Sequence, residues 1–280
     1  MAWHNRDGNE PPGDFKHRWI NGGHFRLRLQ TGLMTDAVKI DVLLVSGARP
    51  ALLEKTLASF SQRLFRHFEI GTLYVNIDPF EGGPVEVDAC EEICKQHFAN
   101  VVTRKPDKPH FTKAIRWLWR QPAADWCFHL EDDWVLNREV RPEEVNKAMT
   151  RDVRQISLMT REKNWGYRSF YHYEPGRRTF LGMDLGKGLN KKRPIFGTSP
   201  SFLRSDFAAR CAELMDETLD PEKQLNYMNP DLNAFTAQFR NRFIGARRDY
   251  VAIDIGREHR DALGITKEVI DGNSVWSRTE

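Results

Sequence analysis

The chain has 280 residues with 42 Lys or Arg against 39 Asp or Glu, a net charge of +3 that neither requires nor excludes an anionic partner. Its 40% hydrophobic and 29% charged content is that of a soluble globular protein long enough to bury a sizeable core. No window approaches the ~18 continuous apolar residues of a membrane span, so a transmembrane segment is excluded and any membrane contact is peripheral.

Residues 1–36 are polar and rich in Gly, Pro and charge, and read as an extended arm. Their opening stretch, MAWHNRDGNEPPGDFKHRWINGG, holds no apolar segment of signal-peptide length, so a cytoplasmic location is expected. Residues 37–280 contain no internal repeat and no linker, and read as a single domain. Organised structure begins at VKIDVLLVSG, where Ile40, Val42, Leu43, Leu44 and Val45 form the apolar run of a strand buried on both faces. The next segment places Leu53, Leu57, Phe60 and Leu64 at helical spacing behind Pro50, a favoured first residue of a helix.

A second strand, IGTLYVNID, ends at Asp78, and VEVDACEEICKQHF is a helix. NVVTRK is a short third strand, and HFTKAIRWLWRQ is an amphipathic helix with Phe111, Ile115, Leu118 and Trp119 on one face. Residues 125–131 form the next strand. This alternation of strands and helices predicts a mostly parallel α/β sheet. Beyond it, RQISLMT reads as a strand, residues 161–194 as loops, and FGTSPSFLRSDFAARCAELM as a turn that becomes helical. DPEKQLN opens a further helix, and YVAIDIGREHRDALG is a last strand and a turn. Cys90 and Cys94 have no second pair to complete a zinc site, and with Cys127 and Cys211 they read as reduced thiols.

The stretch DWCFHLEDDWVLN drives an apolar strand into three consecutive carboxylates, Glu131, Asp132 and Asp133. Ligands of parallel sheets bind beyond the carboxyl ends of the strands, where Ser46, Asp78 and this cluster all lie. Carboxylate oxygens are hard ligands suited to Mg²⁺ or Mn²⁺, ions that commonly bridge to substrate phosphates. Without a ligand, the same acids would be a helix cap or a solvated turn.

IDVLLVSGARPALLEKTLASF resembles the opening of the GT-A glycosyltransferases, especially their large inverting family, and LEDDW resembles that family's Asp-x-Asp motif. The resemblance covers residues 38–137 well and the rest more loosely. It implies a Rossmann-like nucleotide-sugar half over about 37–137 and an acceptor half over about 138–280. It also implies a nucleotide-diphosphate sugar donor, UDP-sugar favoured, bound through a divalent ion. Carried over, Ser46 and Arg49 lie near the nucleotide, Asp78 contacts the uridine or ribose, and Lys113 faces the nucleotide. Glu131 and Asp133 hold the metal, while Asp132 stays on the donor side and points elsewhere. The chain departs from the family in having Glu at the first acidic place and IDPFEG where Asp-Gly-Ser is usual.

The family's inverting members place an acidic base at a helix start, and LDPEKQL offers Glu222 there, although Asp220 as N-cap and Glu222 as a first-turn acid explain the same residues. The family often adds a histidine as third metal ligand, for which His259 is the candidate. Arg257 or Arg260 could instead pair with the diphosphate. Gly197 and Thr198, in PIFGTSPSFLR, match the loop that shapes the donor-sugar and acceptor pocket, and equally suit a helix N-terminus. Trp134 and Trp165 are either stacking platforms or core packing.

The acceptor stays open among a glycan, a small molecule, a protein and DNA. Residues 161–193 interleave Arg161, Lys163, Arg168, Arg177, Arg178, Lys187, Lys191, Lys192 and Arg193 with Trp165, Tyr167, Phe170, Tyr171 and Tyr173, a pattern that suits a nucleic-acid backbone, a lid over an anionic donor, or a solvated loop. A nucleotidyltransferase would use similar carboxylates, but VSGARP has one glycine where a phosphate loop is Gly-rich. A non-catalytic glycan- or nucleic-acid-binding module is the third reading.

Overall fold

The computed structural model describes residues 38–161, 169–181, 183–246, 248–270 and 273–278. The N-terminal arm, and with it Lys163, Trp165, Tyr167 and Arg168, lies outside the described residues. The chain runs β1 (Lys39–Ser46), α1 (Pro50–Arg63), β2 (Glu69–Ile77), α2 (Pro84–His97), β3 (Val101–Arg104), α3 (Phe111–Leu118), β4 (Trp126–Glu131), β5 (Trp134–Leu136), α4 (Pro142–Ala148) and β6 (Val153–Leu158). It continues through β7 (Tyr173–Phe180), β8 (Met183–Pro194), β9 (Ser201–Arg204), α5 (Ser205–Leu214), the short α6 (Pro221–Lys223), α7 (Pro230–Thr236), β10 (Arg240–Ile244), β11 (Ala252–Asp254), α8 (Gly256–Ala262), β12 (Ile265–Ile270) and β13 (Asn273–Arg278).

Seven strands form one sheet in the order β10-β6-β9-β4-β1-β2-β3. All neighbours in it are parallel except β9, which runs antiparallel to both β4 and β6. Side-chain alternation along β1 feeds two cores. Ile40, Val42 and Leu44 pack with Leu53, Leu57 and Phe60 of α1 and with Val87, Cys90 and Cys94 of α2. Leu43 and Val45 face the opposite layer, formed by Ala114, Ile115 and Leu118 of α3, Phe207, Ala208 and Cys211 of α5, and Leu232 of α7. The result is a helix–sheet–helix sandwich with four buried free cysteines.

Proline fixes the starts of α1, α2, α4, α6 and α7, where its missing N–H costs nothing. Two expectations are corrected here. Residues 173–194 are not loop but the antiparallel hairpin β7–β8, and the segment after β11 is not a turn but helix α8. Gly and Lys interrupt the alternation in the first, and the second is too short to show a full apolar period. Phe111 also departs from the apolar face assigned to it, being 37% exposed at the first position of α3.

Phe128 on β4 is fully buried, with ring centroids 4.8 Å from Phe202, 5.7 Å from Phe60 and 5.8 Å from Phe65. Phe128→Ala is expected to destabilise the fold by about 3–5 kcal/mol in urea titrations, because four elements meet on this ring and cannot all close the cavity.

Candidate functional site

Parallel pairing brings the carboxyl ends of β1, β2 and β4 to one rim, with Val45 opposite Glu131 and Ser46 opposite Ile77. The chain leaving β4 is at once tied back, since the Asp132 N–H donates to the Val45 carbonyl at 3.0 Å. The buried Asp132 carboxylate then gathers the β1–α1 loop. Its Oδ2 accepts the Ser46 hydroxyl at 2.8 Å and the Gly47 N–H at 2.7 Å, and its Oδ1 pairs with Arg49 Nη2. Its carbonyl accepts the Thr56 hydroxyl at 2.9 Å. Ala48, between these donors, is held in the left-handed region at φ 56°, a strain the surrounding contacts enforce. Ser46, Arg49 and Asp132 thus come together, and Asp132 points into the scaffold.

Arg49 also reaches Asp133 Oδ2 at 3.1 Å and Glu81 Oε1 at 3.5 Å. Burial opposes its charge, but Asp132, Asp133 and Glu81 outweigh that and raise its pKa. Asp133 Oδ2 meets a second guanidinium, Arg260 Nη1 of α8, at 3.3 Å. Even so its pKa is raised, by burial first, with Asp132 and Asp254 adding to burial and Arg49 and Arg260 opposing it. Glu131 has only a long contact, 3.5 Å, from the Trp134 indole N–H. Burial, then the charges of Asp133 and Glu222, push its pKa up to about 8. Trp134 itself is buried in the core and is no stacking platform.

Glu222, exposed in the first turn of α6, is brought to this rim by a clamp that the sequence reading missed. The Asn226 side chain accepts the Phe196 N–H at 3.0 Å and donates to the carbonyls of Phe196 at 2.9 Å and Glu222 at 2.7 Å. Asp220 caps the same turn through the N–H groups of Glu222 and Lys223, both at 3.0 Å. From the other side Gln155 holds both backbone groups of Gly197, at 2.6 Å and 3.2 Å, within a buried amide pair with Asn241. The Glu222 carboxylate lies over Gly197, so close that a Cβ there would sit 2.6 Å from Oε1. Thr198, next in line, is buried.

Asp78 is buried at the end of β2, where Asn76 donates to Oδ1 at 2.8 Å and the His110 N–H to Oδ2 at 3.2 Å. Burial raises its pKa against these two hydrogen bonds. Two expected residues are placed away from the acids. The Lys113 ammonium pairs with Glu217 at 3.7 Å on the surface, and His259 Nε2 pairs with Glu81 Oε2 at 2.8 Å. Position explains both: Lys113 sits on a half-exposed helix face, and α8 turns Arg260, not His259, toward Asp133. Gly256 at the start of α8 makes that approach possible, since a Cβ there would lie 2.1 Å from Asp133 Oδ2.

Among the described residues no three His, Cys, Asp or Glu side chains form a complete metal-ligand set. The donor set still fits a hard divalent ion shared with substrate phosphates, a mode that needs only one or two protein carboxylates. Glu131 is half-buried and carries no cationic partner among its described contacts, and burial first, then its acidic neighbours, raise its pKa, which is the condition a cation would relieve.

The carboxylates should therefore respond in opposite directions to neutralisation. Asp132→Ala takes from the buried Arg49 one of its three acidic partners and leaves the Ser46 hydroxyl and the Gly47 N–H without their acceptor, and should cost about 3–5 kcal/mol in chemical denaturation. Glu131→Gln should weaken a pH dependence. Below its ordinary range, the Glu131 carboxyl is protonated in both folded and unfolded chains. From there up to about 8 only the folded chain keeps the proton, so in chelator the wild type loses stability as pH rises and Glu131→Gln loses less, with Asp133 and Asp78 left to contribute. Gly197→Ala should leave the melting temperature almost unchanged, because the flexible Glu222 side chain yields, while displacing its carboxylate; circular dichroism and a donor-transfer assay separate the two effects.

No family model matches the chain, and no curated protein matches it in sequence. Among solved structures it is similar to the mannosyltransferase PcManGT from Pyrobaculum calidifontis in complex with GDP-Man and Mn²⁺, at 10% identity and a TM-score of 0.54, over 78% of this chain and 57% of that one. S. aureus TarS 1–349 in complex with UDP-GlcNAc matches at 14% identity and a TM-score of 0.47, over 77% of this chain and 58% of that one. The chain spans less than two thirds of the length of either. Its mostly parallel sheet, helix layers and similarity to PcManGT establish a GT-A-like glycosyltransferase fold.

Proposed function

We propose that the chain is a nucleotide-sugar glycosyltransferase that inverts the anomeric centre, with a UDP-sugar as the favoured donor. The observation that carries this reading is the convergence of three carboxylates from two separate segments near one strand-end rim. Glu131 and Asp133 leave β4, and Glu222 is clamped over Gly197 against Glu131. A fold similar to that of a mannosyltransferase in complex with GDP-Man and Mn²⁺ supports the donor class.

In this reading Glu131 and Asp133 hold Mn²⁺ or Mg²⁺, which neutralises charge on the donor diphosphate when bound. Arg49 and Arg260, already on Asp133, present guanidiniums suited to bidentate contact with phosphate oxygens. Asp78, with Asn76 and Arg104 beside it, lines the place of the base or ribose. Ser46 and Asp132 fix the loop that carries Arg49, and Thr198 closes the sugar side through its backbone. Glu222 takes the proton from the acceptor hydroxyl as that oxygen attacks the anomeric carbon. The bond from that carbon to the diphosphate breaks, and the diphosphate departs with the electron pair. Glu222 is exposed, so an acceptor reaches it from solvent, whereas Glu131 is half-buried at the end of β4. Lys113 and His259 have no assigned step, because Glu217 and Glu81 hold them.

Isothermal titration with UDP, GDP and their sugars should show Mn²⁺-dependent binding to the wild-type chain that Asp133→Asn removes. Glu222→Gln should retain donor binding and lower transfer by about 10²–10⁴-fold. Wild-type protein that binds no nucleotide in Mn²⁺, or Glu222→Gln with full transfer, would refute the assignment.

A further inference from the structure

The hairpin β7–β8 pairs with no other strand of the described fold. Its root is firmly held: the Ile195 N–H donates to the His172 carbonyl at 3.0 Å, Asn241 Nδ2 to the Ile195 carbonyl at 2.9 Å, and the Phe243 N–H to the Phe170 carbonyl at 2.8 Å. The far end is built differently. Leu181 at the turn is 85% exposed, and Met183 and Leu185 on the outgoing strand are 59% and 55% exposed. Leu181 also has φ 48°, a left-handed conformation that Gly, Asn or Asp takes at low cost and leucine takes reluctantly. An exposed, strained leucine at a hairpin tip is unfavourable in water on both counts.

The shaft behind the tip is cationic. Residues 173–194 hold six Lys or Arg against two acids, and both acids are engaged, Asp184 by Arg177 and Glu174 by Arg193. Among the described residues Lys187, Lys191 and Lys192 have no ion pair, and all three are exposed. An aliphatic tip backed by unpaired lysines is the pattern that seats on an anionic bilayer, the tip entering the acyl boundary and the ammonium groups staying at the headgroups. A nucleic-acid backbone matches the lysines but leaves the aliphatic tip in water, and Tyr173, an aromatic that would stack on bases, is buried at the root. A second copy brings the same positive charge and is repelled.

We infer that the Leu181–Leu185 tip and the Lys187–Lys192 shaft dock this protein peripherally on anionic lipid. The inference stands apart from the donor assignment. Where both hold, β8 leads within three residues from Pro194 to the Gly197 loop beneath Glu222, so a lipid-borne acceptor would arrive at the base.

Flotation of the full chain with phosphatidylcholine vesicles, with and without phosphatidylglycerol, tests this. Binding to the anionic vesicles alone is expected. The triple variants Leu181→Ser/Met183→Ser/Leu185→Ser and Lys187→Glu/Lys191→Glu/Lys192→Glu should each weaken it, the second by roughly 100-fold. Circular dichroism and donor titration on the same samples report folding and the donor site separately. The inference is overturned by no flotation of the wild type, by flotation unchanged in both variants, or by tighter binding to duplex DNA that the lysine variant abolishes. A dimer by light scattering that the aliphatic variant dissolves would do so as well.

Discussion

The buried carboxylate of Asp132 is the constraint on which the site's geometry depends. It leaves the end of β4 and takes up the Ser46 hydroxyl, the Gly47 N–H and the Arg49 guanidinium from the neighbouring β1–α1 loop. A charge removed from water is costly unless it is paired and hydrogen-bonded, and here both carboxylate oxygens have donors. One residue thereby determines where β1 stops, how α1 begins, and where the Arg49 side chain lies. Arg49 then spans Asp132, Asp133 and Glu81, so the same knot fixes the guanidinium that the proposed function assigns to a phosphate.

Electrostatics at the rim are divided rather than balanced. Asp132 is satisfied by the scaffold. Asp133 is compensated by Arg49 and Arg260, yet remains harder to ionise than an ordinary carboxylic acid. Glu131 has, among the described residues, no cationic partner and one long contact from an indole N–H, and burial followed by its acidic neighbours pushes its pKa up to about 8. A site of graded carboxylates of this kind binds a cation with release of a proton, so the affinity of the proposed metal and the stability of the fold are coupled through the same group. The two arginines supply fixed positive charge whether or not an ion is present. In the proposed function, that separates phosphate recognition from the metal.

The first half of the fold was legible because β1 and β4 are buried on both faces and α1 and α2 start at proline. The runs from Ile40 to Val45 and from Trp126 to Leu130 carry no competing pattern, and the rim at Ser46, Asp78 and Glu131 follows from parallel pairing alone. The second half was not, for physical reasons. Strand β9 has only four residues and β5 and β11 only three, shorter than any reliable alternation. The glycines of β8 hide its register, and their backbone pairing is visible only in three dimensions. Within the site, spacing identified the acids but not their partners. His259 and Arg260 are adjacent in sequence, and only the pitch of α8 decides that the arginine meets Asp133 while the histidine meets Glu81.

Two glycines show how a sequence signal can be right in place and different in meaning. Gly197 reads as part of a pocket loop, where small residues suggest close approach of a sugar. Its missing side chain admits the Glu222 carboxylate instead, and Gly256, which carries no motif at all, does the same for Asp133. Neither needs a left-handed backbone, so the usual reason for glycine does not apply. What both positions need is volume. Each acid is long enough to swing elsewhere, and is kept at the rim by a space shaped for it together with a polar clamp: Asn226 and Gln155 around Gly197, Arg260 and Asp254 around Gly256. The geometry of the candidate site is therefore specified as much by absent atoms and buried amides as by the carboxylates themselves. A carboxylate motif with neither the cavity nor the clamp would leave the acids free to turn toward solvent, where they would ionise separately and no longer act as one site.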